Sequence, residues 1–532
     1  MKNTRLLILP LLLASLVGCT NVYNNGSESE NNSESENLGG SESEEYIEPT
    51  KVQGDVDFYA INDFHGAVVQ SGYEMGIQRV GTFLKQKGQN ENTVLINSGD
   101  MWQGSIDSNY SHGEMLSRIN NEIEFDAFVL GNHEFDWGDK YIKQNALLSD
   151  PETGHQTPFL AAKIYNFDIN TKKTGDFAGL GQKYTIVEQE NGIRVGIIGM
   201  IGSGQITTIT SQHVDKYTFV SPQSIIGPLA KDLRENKNCH VVVASVHSGT
   251  EFATSDFAKH VDAIFAAHTH KKELFTVDGV PVIQSGNNGR YIGNIKLHVD
   301  LDGTVTTVTK KNLQSADVDT SLKDDGIQAI IDEYQEGIDA RGTEIVANFN
   351  GSASQYDEIP NMVCTALADH AYEQGINIDY AIVNQGRAAL SSGDVTYANL
   401  FKSLPFDNEI YVAEVKGTDL QTQLGQNYFY RVDSNAISTS KTYTIAVIDY
   451  LATHRNNARD YDKFPSLNIK SSFTLPGYEL FNYRDATYEW LKDVKLAGYN
   501  TLNVSDFATD NPRHNANLLT SSQTFTTNPY IG

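Results

Sequence analysis

The sequence predicts an α/β (α+β) fold in two parts, and three observations carry that expectation. Short β-branched runs recur, each closed by a polar or glycine-rich turn: 55-DVDFYAIND-63, 93-TVLINSGD-100, 125-FDAFVLGNHE-134, 194-RVGIIGM-200, 241-VVVASVHSG-249 and 263-AIFAAHTH-270. Amphipathic segments fall between several of them, as layered folds with buried central strands require. At 532 residues the chain is long for a single core, so a second domain is expected after the first.

The N-terminus reads as an export signal. Lys2 and Arg5 precede an apolar run from Leu6 to Leu13, which is too short to span a bilayer, and the run leads into 16-LVGC-19. Those four residues look like a bacterial lipoprotein box, which implies cleavage before Cys19 and lipidation of its sulfur; an ordinary cleaved signal with an incidental cysteine is the alternative. Residues 21 to 50 hold eight Glu and no basic residue. Such a composition cannot bury enough apolar surface to fold, so residues 20–50 are expected to be a disordered acidic tether. The body would then sit in the cell envelope, touching the membrane only through its lipid. Thr20, in place of the Asp associated with inner-membrane retention, favours the outer membrane.

Charge narrows the partners. With 67 Asp+Glu against 40 Lys+Arg, the chain is not expected to bind a nucleic-acid polymer or an anionic membrane surface. An anionic substrate would need positive charge from elsewhere, and a metal cluster supplies it. Once Cys19 is set aside, Cys239 and Cys364 remain, 125 residues apart; they make no disulfide framework and are expected to be buried and inert.

After the strand-rich run 295–310, Ile327, Ile330, Ile331, Tyr334 and Ile338 recur at helical spacing over 325–341. The expected organisation is therefore a first domain over 51–310, a linker helix within 311–345, and a second domain over 346–532.

The chemistry collects where the predicted strands end. Those ends carry Asp63, His65, Asp100, Asn132, His133, His247, His268 and His270, so five of the 14 histidines lie there beside acids, Gly or Asn. Mixed nitrogen and oxygen donors suit zinc, manganese or cobalt better than calcium, which takes oxygens only. An Asp-x-His or His-x-His pair puts both side chains on one face of an extended strand end. Any one of these residues alone is more commonly a turn former or helix cap. Their joint occurrence points to a site for two ions.

The order NDFHG, GDMWQGS, GNHEFDWG, VHSG, AHTH resembles the calcineurin-like metallophosphoesterases, and within them the 5′-nucleotidase/UDP-sugar hydrolase branch, over about residues 54 to 300. The resemblance implies a four-layer α/β/β/α first domain joined by the linker helix to a smaller α/β substrate-binding domain. It implies that Asp63, His65, Asp100 and His270 bind one divalent metal and that Asp100, Asn132, His247 and His268 bind the other, with magnesium also possible. His133, held cationic by Asp136, would face the substrate phosphate. Glu134 and Trp137 are read as structural. Ala267 replaces a usual Gly.

In the second half, 384-NQGRAALSSGDVTYANLFKSLPFDN-408 resembles the family's C-terminal signature. That implies that Asn384 and Arg387 approach the substrate, that Phe406 stacks on a base and that Asn408 bonds to it; read without the family, Phe406 is a core aromatic. Tyr450 falls where a second stacking aromatic is expected, with Tyr461 or Phe464 as alternatives, and Asp460 matches the acid of a later family loop. The glycine-rich turn is shortened, with Gln385 in place of a glycine, Cys364 stands where an Arg is common, and 453-THRNNARDYDKF-464 replaces the family's loop. The family's domains rotate about the linker to release product.

The resemblance implies a monomeric, envelope-located 5′-nucleotidase, with UDP-sugars as further substrates. The alternatives are a 2′,3′-cyclic nucleotide phosphodiesterase/3′-nucleotidase and a surface lipoprotein that binds nucleotides without cutting them.

Overall fold

The computed structural model describes residues 51–508 apart from 163, 424–427, 432–436, 453–462, 474 and 476–480. Cys19, the stretch 20–50, Asp460 and Tyr461 lie outside the described residues.

Each β-branched run of the first half forms a strand: Gly54–Ile61, Thr93–Asn97, Ala127–Val129, Arg194–Ile201, Val241–His247 and Ala263–Ala266. Their central residues are mostly apolar because both faces are covered there. Every residue of Thr93–Asn97 and of Val241–His247 is buried. The strands divide between two six-stranded sheets. In the first, Gly54–Ile61, Thr93–Asn97, Ala127–Val129 and Phe159–Leu160 run parallel, and Tyr291–Val299 with Val305–Gln314 adds an antiparallel edge. In the second, Arg194–Ile201, Val241–His247, Ala263–Ala266 and Val280–Ser285 run parallel between two antiparallel edges.

The sheets stack face to face. Val56, Phe58, Val94 and Val129 pack with Val195, Ile197, Val243 and Phe265 in one cluster, and the Phe58 and Phe265 rings lie 5.9 Å apart. Phe58 has no exposed surface, so its truncation to Ala costs about 3–5 kcal/mol. Helices Gly76–Gly88 and Glu114–Ile123 cover the outer face of the first sheet, and Pro222–Glu235 covers that of the second. The first domain is thus the expected α/β/β/α sandwich. Because the inner strands of each sheet are parallel, their C-terminal ends leave from one edge, where ligands collect in such folds.

The linker helix runs Asp325–Gly342. Asp324 caps it by accepting from the Ile327 amide at 3.0 Å, and Ile327, Ile330, Ile331 and Ile338 are buried. Arg118 ties it to the first domain through Glu333 at 2.7 Å and the Tyr334 hydroxyl at 3.1 Å.

Beyond it, a five-stranded sheet (Tyr380–Val383, Ile410–Lys416, Tyr428–Arg431, Thr442–Ile448, Asn468–Ser472) and a three-stranded one (Ile345–Asn350, Gly393–Thr396, Leu502–Asn503) share a core with helices Glu358–Glu373 and Tyr483–Leu496. Both described cysteines are buried, and neither is in a disulfide among the described residues. Burial pushes the Cys239 thiol up to about 12. Among the described residues, no helix is long and apolar enough to cross a membrane.

Candidate active site

The first turn after Gly54–Ile61 presents Asp63 and His65, the turn after Thr93–Asn97 presents Asp100, and the one after Ala127–Val129 presents Asn132 and His133. His247 is the last residue of its strand, and His268 and His270 follow Ala263–Ala266. Asp63, His65, Asp100, His268 and His270 all hold left-handed backbone, with φ of 49°, 49°, 53°, 75° and 59°. Outside glycine that region is sparsely populated, and it persists only where surrounding structure imposes it.

The result is a convergence of donors. Asp63, His65 and His270 place one ligand atom each within 4.8 Å of one another, and so do Asp100, His247 and His268; His133 lies in the same reach of His65 and Asp100. His65 Nε2 is 2.9 Å from His270 Nε2, His247 Nε2 is 3.1 Å from Asp100 Oδ2, and His268 Nδ1 is 2.9 Å from Asn132 Oδ1. His247 Nε2 is buried and makes no hydrogen bond despite that short approach. A cation between that nitrogen and the carboxylate oxygen would satisfy both. The opposite nitrogens of His65 and His247 face the carbonyls of Gln103 and Ser98, at 3.0 and 2.9 Å. Those carbonyls hold the rings with Nε2 turned inward. Glycine makes the crowding possible at Gly131, where a Cβ would stand 2.2 Å from Asp100 Oδ1.

Burial dominates the electrostatics. It lowers His65 to about 3 and His268 to about 4, and lowers His270 as well. These imidazoles are therefore neutral, the form that donates a lone pair to a cation. Burial raises Asp63 to about 7. Burial also works to raise Asp100, but the charges of His247 and His133 prevail and hold it well below the ordinary carboxylate value. Burial opposes charge on His247, yet Asp100 and Asp63 beside it raise it to about 9, so a cation must displace that proton to bind there. The residues fit divalent cations in donor type and aim.

His133 Nδ1 meets Asp136 Oδ2 at 2.7 Å. Burial disfavours its charge, yet Asp136 and Asp100 together bring its pKa up to about 10. An imidazolium stands beside the donor cluster, its ring in a stacked arrangement with Phe406 at 6.3 Å between centroids.

From the second domain, Phe406 and Asn408 are half-buried, while Arg387 is exposed and holds its guanidinium 4.9 Å from the Phe406 ring centre. Asn384 is half-buried just past the strand Tyr380–Val383. Phe406 only packs against the edge of the second core, so it is not a plain core aromatic. Tyr450, just past the strand Thr442–Ile448, is 48% exposed. Phe464 is wholly buried in the second core, which removes it as a stacking alternative because neither of its faces can receive a base.

Glu134 and Trp137, read as structural from the sequence, make contacts whose partners the residue pattern does not give. The Glu134 carboxylate, fully buried, accepts from the amides of Asp100, Met101 and Gly131 at 2.9, 2.9 and 2.7 Å. It thereby fixes the strained turn that aims Asp100. Trp137 Nε1 donates to Asp407 at 2.6 Å, reaching the second domain. The sequence marks both residues as structural; that Glu134 serves the Asp100 turn and that Trp137 reaches Asp407 is not readable from it.

Comparison with known proteins fits this geometry. Residues 56–272 match the calcineurin-like phosphoesterase family model and residues 341–434 match the 5′-nucleotidase C-terminal domain. The chain is 24% identical over 462 residues to endonuclease YhcR of Bacillus subtilis, covering 74% of this chain but only 37% of that relative's length. It is 26% identical over 426 residues to the 5′-nucleotidase of Rattus norvegicus, covering 70% of this chain and 71% of the relative. The crystal structure of a putative 5′-nucleotidase from Staphylococcus aureus shares the fold, with a TM-score of 0.66 at 18% identity over 83% of this chain and 97% of that one. With the donor cluster inside the phosphoesterase match and the Arg387 turn and Phe406 inside the nucleotidase match, the chain belongs to the calcineurin-like metallophosphoesterases, in their 5′-nucleotidase family.

Proposed function

We propose that this chain is a dimetal phosphohydrolase that releases phosphate from nucleoside 5′-monophosphates. The observation that carries the reading is the convergence of seven donors from two sheets beside a histidine held cationic by its own carboxylate partner. In this reading Asp63, His65, Asp100 and His270 hold one ion and Asp100, Asn132, His247 and His268 the other. Zinc, manganese or cobalt suit the donors, and magnesium is a weaker fit. Such a pair of ions, when bound, supplies a water of lowered pKa and a clamp on the phosphoryl oxygens.

The chain's own residues do the rest. Asp136 accepts the Nδ1 proton of His133 and orients the ring, leaving the Nε2 proton to meet the phosphoryl oxygen where charge accumulates, or the leaving alkoxide. Glu134 keeps the Asp100 turn rigid. Arg387, with a fork geometry suited to an anion, and Asn384 approach the substrate. Phe406 and Tyr450 offer faces to a base, and Asn408 an amide. A non-catalytic binder would have no use for the His133–Asp136 pair.

The proposed organisation is a metal domain over 51–310, a hinge within 311–345 and a nucleotide-recognition domain from 346. The proposed setting is the cell envelope, with Cys19 lipidated. A similar chain from Listeria monocytogenes is a cell wall protein, which supports an extracytoplasmic place.

The test is phosphate release from AMP, UMP, UDP-glucose, 2′,3′-cyclic AMP and a sugar phosphate by protein lacking residues 1–50, metal-stripped and then resupplied with zinc, manganese or magnesium. Metal-dependent turnover of AMP or UMP, abolished in His133→Ala, is the expected outcome. Silence on every nucleotide with metal bound refutes the reading.

A further inference from the structure

Resting on that reading, we infer that Asp407 is a positioning residue that latches the second domain onto the metal centre and so places Phe406 beside His133. Its side chain is 7% exposed, and its two oxygens divide their work between the domains. Oδ2 accepts from the first domain, from Trp137 Nε1 at 2.6 Å and Asn109 Nδ2 at 3.1 Å. Oδ1 accepts from its own domain, from the Arg484 guanidinium and, at 3.4 Å, from Asn482 Nδ2.

Both ends of this bridge lead to chemistry. Trp137 directly follows Asp136, the partner of His133. Arg484 also donates to the carbonyls of Leu404 and Phe406, at 2.9 and 3.2 Å, which makes 404–407 a rigid loop. A second tie runs parallel: Gln103 Nε2 donates to the Pro405 carbonyl at 2.9 Å while the Gln103 carbonyl faces His65 Nδ1. The loop that carries Phe406 is therefore gripped next to His133 and next to His65, by residues that are not themselves donors to the cluster. A substrate that reaches both domains needs this register. An ester that meets only the metal centre does not.

Asp407→Asn separates the two halves of the bridge. Arg484 and Asn482 are donors and claim the amide oxygen, so the amide NH2 turns toward Trp137 Nε1–H and Asn109 NH2, donor against donor. Trp137→Phe removes the same contact from the other side and leaves the Arg484 pair intact. Loss of hydrogen bonds to a buried charge is worth about ten- to a hundredfold in kcat/KM.

The experiment measures AMP and p-nitrophenyl phosphate hydrolysis by the manganese-loaded protein and both variants, with small-angle scattering of each. The expected result is a kcat/KM on AMP lower by about tenfold or more in either variant and no lower in the double variant than in Asp407→Asn alone, because Trp137→Phe removes a contact that Asp407→Asn already breaks. Turnover of p-nitrophenyl phosphate stays unchanged and the radius of gyration increases. Equal losses on both esters, additive losses, or an unchanged radius of gyration overturn the inference. If Asp407→Asn melts early through its lost pairing with Arg484, Trp137→Phe decides. Failure of the unmutated protein to hydrolyse AMP refutes the nucleotidase reading alone, since the scattering comparison still tests the latch.

Discussion

Replacing Asp136 by Asn tests whether a carboxylate sets the charge of the residue assigned to the phosphate. In the structure Asp136 Oδ2 lies 2.7 Å from His133 Nδ1, and the imidazole's pKa stands at about 10 against 6.5 for a free histidine. An opposite charge at such range is worth about 1–3 units. The amide keeps the size and one acceptor oxygen but removes the charge, so the His133 pKa falls by about two units. The sign follows: the acid form is the working form, activity is present below this pKa, and it declines as pH rises through it. At pH 9 a drop from about 10 to about 8 reduces the protonated fraction about tenfold, while at pH 6 the two proteins hold nearly the same fraction. Cations bound nearby lower both pKa values together, so the displacement between the two proteins is the quantity to measure. The assay is kcat/KM for AMP from pH 5 to 10.5 at saturating manganese, with metal content checked at each end. An alkaline limb in Asp136→Asn that superimposes on that of the unmutated protein, or a loss that is uniform with pH, refutes the argument that Asp136 keeps His133 cationic.

Other consequences are open to direct measurement. Glu134→Gln leaves one of three buried amides facing a donor and loosens the Asp100 turn, so manganese affinity by calorimetry falls about 10–100-fold, as outer-shell losses typically do. Adding manganese or zinc to stripped protein raises the melting temperature saturably, with about 2.7 kcal/mol of stabilisation at a hundred times Kd, and His247→Ala weakens that rise. Phe406→Ala, at a half-buried ring with an arginine against it, raises KM for AMP by about tenfold, as the loss of a base-stacking aromatic worth 1–3 kcal/mol would; it leaves p-nitrophenyl phosphate turnover within about twofold. A KM for AMP that does not move in Phe406→Ala removes that ring from the base site.

The parts of the fold legible in sequence are those that one physical rule dictates locally. Val241–His247 is apolar at almost every position because sheet packs on one face and helix on the other, and that burial is visible as composition before any contact is known. The linker helix is legible for a similar reason: its four buried isoleucines follow the 3.6-residue period. The Asp407 bridge is not, because its meaning lies in which donors surround each oxygen, and those donors come from positions 109, 137, 482 and 484. Phe406 falls between the two cases. An aromatic after a proline is as compatible with a core as with a cleft, and only the half-exposed ring with Arg387 against it separates them.

The donor cluster itself was legible for a reason that goes beyond ligand chemistry. A site for closely spaced cations needs many side chains aimed inward from turns that reverse immediately after a strand, and five of the seven donors sit there on left-handed backbone, Asn132 and His247 being the exceptions. Asp63, His65, Asp100, His268 and His270 occupy that region, which glycine enters freely and which Asp, Asn and His tolerate better than other residues. The residue types that ligate zinc or manganese are thus among the few that can hold the required turn. Backbone tolerance and coordination chemistry select the same letters at the same positions. This is why the strand ends read as Asp, His and Gly, and why a substitution such as His268→Val would lose the turn geometry as well as the donor.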